Sequence, residues 1–273
     1  MPPRPTPLVQ ELVVTLYGLY ADPRTGELPV AGLVRLLDGV GVDGQAARAT
    51  VSRLKGKGVL DQRRAGGTSL YALSPDVLDL FRADDERIFA PMRSVPGDPW
   101  SLIVFSVPEA ERNRRYELRS ELASLGFGFV AAGVAIAPRT VLDQARERLA
   151  ARGLDGYTEC FAGEYLTGAD IRAKVGQWWD LGALDEQYAA FIGDYEHLEA
   201  PSPDGPEADL AAFAAYVPML TRWRRFPYRD PNIPLEYLPE GWKAPRAKAA
   251  FLRLHAQLAG PAGRHARRAL EAA

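Results

Sequence analysis

Apolar side chains return every three or four positions at the start of the chain, at Leu8, Leu12, Val13, Leu16 and Leu19. Residues 6–20 are therefore predicted to form an amphipathic helix, ended by the Asp22-Pro23 pair. A second helix is expected over 29–38. Gly39, Gly41 and Gly44 then punctuate the chain, and Asp43 is placed to cap a third helix running through Ala46 to about residue 57. On that helix Ala47, Val51 and Leu54 share one face and should anchor it to a core. This leaves Gln45, Arg48, Ala49, Ser52 and Arg53 pointing away, with Thr50, Lys55 and Lys57 on the flanks. After Gly58 two short strand-like runs, 59–64 and 69–73, flank Ala65-Gly66-Gly67-Thr68, which reads as a hairpin with a glycine tip. Ser74-Pro75 opens a further helix toward Phe89. Helix, turn, helix and hairpin in this order predict a winged helix-turn-helix over residues 1–91.

From Trp100 the period shortens. Strands are expected over 100–107, 127–131, 134–137 and 157–162, with helices over 109–124 and 141–151. The order βαββαβ is that of a ferredoxin-like central domain, residues 98–170, reached through a linker holding Pro96, Gly97 and Pro99. Beyond it, Leu181, Leu184, Tyr188, Phe191, Tyr195 and Leu198 step by three and four, marking a long helix that a Pro-rich linker over 201–206 ends. A helix over 207–225, an extended stretch over 230–239 and a last helix carrying Phe251, Leu252, Leu254 and Leu258 complete a helical C-terminal domain, residues 171–273. The expected class is α+β.

Charge changes the picture at one place. Between Gln45 and Thr68 lie Arg48, Arg53, Lys55, Lys57, Arg63 and Arg64 against one acid, Asp61. That segment is +5 in a chain whose total is −2. Charge segregated in this way usually meets a polyanion. Arg and Gln are shaped to read guanine and adenine edges in the major groove, whereas Lys and the hairpin arginines suit phosphates. The expected DNA-binding set is Gln45, Arg48, Ala49, Thr50, Ser52, Arg53, Lys55 and Lys57 on the helix, with Arg63, Arg64 and Thr68 on the hairpin. A lone basic helix is often only a solvated face; the adjoining basic hairpin is what favours DNA.

At 273 residues and 47% hydrophobic the chain can bury a full core. Its single cysteine, Cys160, excludes an internal disulfide, and Met1-Pro2-Pro3-Arg4-Pro5 leads into no secretory apolar region. A reducing cytoplasm is the expected location. The longest apolar runs are of strand length, so no membrane span is expected.

Candidate chemistry elsewhere is sparse. The first central strand ends Val104-Phe105-Ser106-Val107-Pro108 without the carboxylate that a metal-dependent nuclease wants, and Glu109 and Glu111 simply suit a helix start. His197, His255 and His265 lack metal-ligand spacing, and no nucleotide loop or nucleophile elbow occurs. No enzyme activity, cofactor or metal is expected. Trp178, Trp179, Arg222, Trp223, Arg224 and Arg225 form a candidate effector-binding set, aromatic faces with a phosphate clamp. Such aromatics at helix ends more often serve as core or interface, and arginines suit a helix C-terminus. Arg264, Arg267 and Arg268 read as a solvated helix end.

Val13-Val14-Thr15-Leu16-Tyr17-Gly18, Arg48-Ala49-Thr50-Val51-Ser52-Arg53-Leu54, Leu125-Gly126-Phe127-Gly128 and Trp223-Arg224-Arg225-Phe226-Pro227 resemble the PaaX family of phenylacetate-degradation repressors. So do Asp230-Pro231-x-x-Pro234 and Leu238-Pro239-x-x-Trp242. The resemblance implies a homodimer on a palindromic double-stranded DNA operator of an aromatic-acid catabolic operon. It implies release by an aryl-CoA thioester such as phenylacetyl-CoA. The family offers no short motif that assigns single effector-binding residues, and its members also regulate other ring-degrading pathways.

Overall fold

A computed structural model describes residues 8–22, 24–65, 68–75, 77, 88–89, 93–166, 170–201 and 205–272; the side chains of Arg64, Ala65 and Thr68 are outside this description. The glycine tip at 66–67 and most of the helix expected after Ser74 also lie outside the described residues. The chain is of the α+β class and divides into two compact units. The first comprises residues 1–88, 190–224 and 246–273, and the second 89–189 and 225–245.

In the first unit, α1 (Val9–Tyr20), α2 (Val30–Asp38) and α3 (Gly44–Gly56) pack around Leu12, Val13, Leu16, Leu33, Leu36, Leu37, Val51 and Leu54, all buried. A strand absent from the sequence expectation, β1 (Glu27–Pro29), joins β2 (Leu60–Ala65) and β3 (Thr68–Leu73) in an antiparallel sheet of order β1-β3-β2. Three residues ending in Pro29 are too short for a periodic signal, and the proline sits at a sheet edge, where a missing N–H is tolerated. The Tyr17 hydroxyl donates to the Tyr71 carbonyl at 3.0 Å and ties α1 to the middle strand.

Two later helices pack on this core. In α8 (Pro206–Trp223) Thr221 donates to the Thr15 hydroxyl of α1 at 2.9 Å, and Phe213 lies against Tyr20 with ring centroids 5.9 Å apart. In α10 (Ala244–Glu271) the Ala269 carbonyl accepts from Arg35 Nε of α2 at 2.9 Å. Arg264 and Arg268 are exposed, as expected of a solvated helix end, and each also reaches a buried acid. Both bind Asp209, which is only 3% exposed; Arg264 Nη2 and Arg268 Nη2 each lie 2.7 Å from its carboxylate. Sequence periodicity gave no sign of this pair because Asp209 sits in the first turn of α8, where an acid has a local explanation.

The second unit holds β4 (Trp100–Phe105), α4 (Arg112–Ser124), β5 (Gly128–Ala131), β6 (Val134–Pro138), α5 (Leu142–Ala151) and β7 (Thr158–Gly163). Its sheet is antiparallel throughout, with order β5-β6-β4-β7. Ile103, Phe105, Ala135 and Ala137 of the sheet meet Leu118 and Leu122 of α4 and Ala145 and Leu149 of α5 in one apolar layer. A helix that no sequence expectation included, α6 (Ile171–Trp178), covers part of the other face with Val175 and Trp178, and α7 (Leu181–Tyr195) follows it. The short turn α9 (Phe226–Arg229) leads to Asp230. That buried carboxylate accepts from Arg93 at 3.0 Å, Tyr188 at 2.9 Å and the Asn232 backbone N–H at 2.8 Å. Burial, and after it the Asp230 charge, pushes the Tyr188 hydroxyl pKa well upward.

Candidate nucleic-acid interface

The basic surface begins with a cap. Asp43 is extended and its carboxylate accepts from the Gln45 and Ala46 backbone N–H groups, both at 2.9 Å, which starts α3 where the sequence reading put it. Ala47, Val51 and Leu54 are buried, so the helix is fixed in rotation. Gln45, Arg48, Ala49, Ser52, Arg53, Lys55 and Lys57 are exposed. Thr50 differs from expectation: it is 5% exposed, because the buried face of α3 is broad enough to include it, and it lines a hollow together with Ala49 and Arg53.

Several cations have local partners. Arg48 Nη1 donates back to the Gly44 carbonyl at 3.3 Å, and Lys55 Nζ donates to Gln62 Oε1 at 2.6 Å, joining α3 to β2. Arg63 pairs with Glu27 at 3.3 Å. Arg53 and Lys57 form no side-chain hydrogen bond or ion pair among the described residues, so their charge faces solvent unopposed. Arg64 and Thr68 are in register on the hairpin, Arg64 opposite Ser69 and Thr68 opposite Ala65; their side chains are outside the description. The arrangement is a helix presenting cations and hydrogen-bonding groups along one face, with a further cation, Arg63, on an adjacent strand. Such a surface can bind phosphates along a duplex and offer Arg and Gln to base edges.

A hollow of about 380 Å³ opens between the start of α1 and α3, lined by Leu8, Val9, Gln10, Ala46, Ala49, Thr50 and Arg53. Nothing in the helical periodicity signalled it, since it depends on how α1 meets α3.

The six residues singled out as effector contacts fall into both units. In the second, Trp178 and Trp179 lie side by side, ring centroids 6.0 Å apart, among Trp100, Tyr165 and Tyr237. The Trp179 indole N–H donates to the Gly126 carbonyl at 2.9 Å, and a Cβ on Gly128 would lie 2.6 Å from that indole. The Leu125-Gly126-Phe127-Gly128 run is thereby explained: Gly126 takes a φ of +90° and Gly128 leaves room for a ring. Trp223, in the first unit, is 3% exposed, stacks on Phe251 at 4.5 Å and donates to the Ile88 carbonyl at 3.0 Å. Arg222 pairs with Asp194. Arg224 belongs to the first unit and Arg225 to the second.

Among the described residues no group of three or more His, Cys, Asp or Glu side chains is placed to hold a metal ion, and no helix is long and apolar enough to cross a membrane.

Comparison with known proteins finds matches along most of the sequence. Residues 9–77 match the PaaX-like protein family, 95–175 the PaaX protein central Cas2-like domain, and 179–268 the PaaX-like protein C-terminal domain. The chain is 27% identical to the transcriptional repressor PaaX of Escherichia coli (strain K12) over 256 residues, which covers 91% of this chain and 79% of that protein. Among solved structures it is similar to the uncharacterized protein Rv0674 from Mycobacterium tuberculosis. The TM-score is 0.59 and the identity 22%, covering 96% of this chain and 99% of that one, a likeness of fold. With three PaaX models matched in order from residue 9 to residue 268, the chain belongs to the PaaX family.

Proposed function

We propose that this protein is a DNA-binding transcriptional repressor, built as a winged helix-turn-helix, a ferredoxin-like central domain and a helical C-terminal domain. The single observation that carries the reading is the exposed cationic face of α3 beside the basic strand β2, with Arg53 and Lys57 free of acidic partners among the described residues. The strand order β5-β6-β4-β7 is the one a ferredoxin-like split βαβ unit requires. Repression is the role named for the Escherichia coli relative.

On this reading the protein works as a homodimer, in which two recognition helices meet half-sites of a palindromic operator about one helical turn, or a multiple, apart. Family membership supports an aromatic-acid catabolic operon of the phenylacetate type as the target, and an aryl-CoA thioester such as phenylacetyl-CoA as the effector that releases DNA. Typical coupling of ~1–3 kcal/mol would weaken operator binding by roughly five- to 150-fold. Trp178, Trp179, Arg222 and Trp223 already have partners that account for their positions, so the effector reading rests on the family and not on those side chains.

Titrating phenylacetyl-CoA into the complex with upstream DNA tests the effector. Release at micromolar to millimolar ligand is expected, and unchanged affinity at millimolar ligand rejects it. The 27% identity to the Escherichia coli repressor favours one further reading, the same DNA-binding role in another pathway with a different effector or none. A melting shift with another member of a panel of CoA esters distinguishes it.

A further inference from the structure

We propose that the hollow between α1 and α3 is a subsite for the 5-methyl group of a thymine, which makes Ala49, with Leu8, a sequence-determining contact. The proposal rests on the DNA-binding reading above and adds which base feature one part of the surface takes.

The argument starts from the outward row of α3. Gln45, Arg48, Ser52 and Arg53 all end in groups that hydrogen-bond; Ala49, exposed in their midst, ends in a methyl. Water has nothing to bond at that point, so a helix lying in a major groove presents a gap in its polar row there. The gap is continued by apolar groups from a second element. Leu8, 60% exposed, and the half-buried Val9 stand on one side of the hollow, with Ala46 and the buried Thr50 forming the rest of the wall. The exposed Leu8 and Ala49 line the same hollow, and together they form an apolar surface that a small apolar group entering from outside would cover.

Charge restricts what can enter. Arg53 stands at the rim of the hollow, and Arg48, Lys55 and Lys57 lie on the same helix, so the occupant arrives with an anionic frame. Gln10 adds a donor and acceptor on the α1 side. A duplex supplies both requirements: phosphates for the cations and, in the major groove, a base-pair edge whose apolar projection is the thymine methyl. Apolar contact to that methyl from alanine or a similar side chain is one of the recurring ways a base is read.

The test substitutes the DNA first. Duplexes are selected from a random-sequence pool with the full-length protein, and the tightest is resynthesised with each thymine in turn replaced by deoxyuridine, which deletes only the methyl. At one thymine, or two adjacent ones, in each half-site, affinity is expected to fall about four-fold, the effect of leaving one methyl-sized group unburied. Ala49→Ser, an exposed and nearly isosteric change, should bring the thymine-to-uracil ratio at that position close to one while leaving the other positions alone. Leu8→Ala should lower the same ratio.

Tight binding with every deoxyuridine substitution neutral overturns the subsite and leaves DNA recognition standing. A methyl effect of unchanged size in both variants overturns its assignment to this hollow. If no sequence is enriched at any salt concentration, the DNA reading itself fails and the subsite with it.

Discussion

Arg63 Nη1 lies 3.3 Å from Glu27 Oε1, an ion pair that passes over the central strand β3 from one edge of the three-stranded sheet to the other. The arginine is mostly exposed and the glutamate largely covered, so the pair restrains a hairpin cation whose place in the sequence suits phosphate binding. With its arginine open to solvent, the pair stabilises the fold by about 1 kcal/mol or less. Its effect on DNA should be larger in relative terms, because the glutamate competes with phosphate for the same guanidinium. Glu27→Gln is expected to leave thermal stability nearly unchanged, to raise DNA affinity several-fold at low salt and to steepen the plot of log K against log salt. Fluorescence anisotropy over a salt series reads both quantities.

Arg53 and Lys57 separate base reading from backbone binding. Arg53→Ala should cost roughly 1–3 kcal/mol of specific affinity if the side chain reaches a base edge, with a smaller effect on random-sequence DNA. Lys57→Ala should weaken specific and random duplexes alike and reduce the salt slope by about 1, as expected for one lost phosphate contact. Parallel titrations against a selected duplex and a scrambled one distinguish the two patterns.

Gly128 faces the Trp179 indole so closely that a Cβ there would sit 2.6 Å from a ring carbon and 2.8 Å from the Trp178 carbonyl oxygen. Gly128→Ala must therefore displace the ring and strain its hydrogen bond to Gly126, costing about 1–3 kcal/mol as an overpacked site. Tryptophan emission should move to the red and the denaturation midpoint fall. A native emission spectrum with unchanged stability would mean that Trp179 does not pack as described.

The buried Asp209 carboxyl and the half-buried His255 imidazole both contribute to the first unit's response to acid. Hydrogen bonds from Arg264, then Arg268, hold the Asp209 carboxyl below the usual carboxylate range, so it binds protons less readily folded than unfolded. Its stabilising contribution is complete above the unfolded carboxylate pKa, about 4, and is lost as pH falls through the lower folded value. Burial lowers the His255 pKa beside the Tyr216 hydroxyl, 2.8 Å from Nδ1. That contribution is complete above the unfolded histidine pKa, about 6.5, and declines as pH falls below it. Melting temperature should thus drop in two stages on acidification. Asp209→Asn should lower it at neutral pH and flatten the lower stage, and His255→Gln should reduce the upper one, the remainder belonging to His265, whose pKa burial also lowers.

Much of this was legible in the residues. The boundaries of α3, its Asp43 cap and its buried triad follow from periodicity and capping, because local rules and tertiary packing agree there. So does the strand and helix order of the central domain. What escaped depends on contacts distant in sequence. β1 exists only because β3 offers it a partner, and the Asp209 pair joins positions 55 and 59 residues apart. Thr50 is buried because α1 closes over that side of α3, and the same approach makes the hollow. Trp178, Trp179 and Trp223 carried an ambiguous signal, since aromatics beside arginines read as a pocket or as core. Their partners Gly126, Gly128, Phe251 and Ile88 are not neighbours in the chain.

The most direct measurement is equilibrium binding of the purified full-length protein to duplex DNA from upstream of its own gene, in dilute buffer and over a salt series. Saturable binding is predicted, tighter than to scrambled duplex, weakening steadily with salt and impaired by Arg53→Ala. Failure to bind any upstream fragment even in dilute buffer would contradict the account at its base.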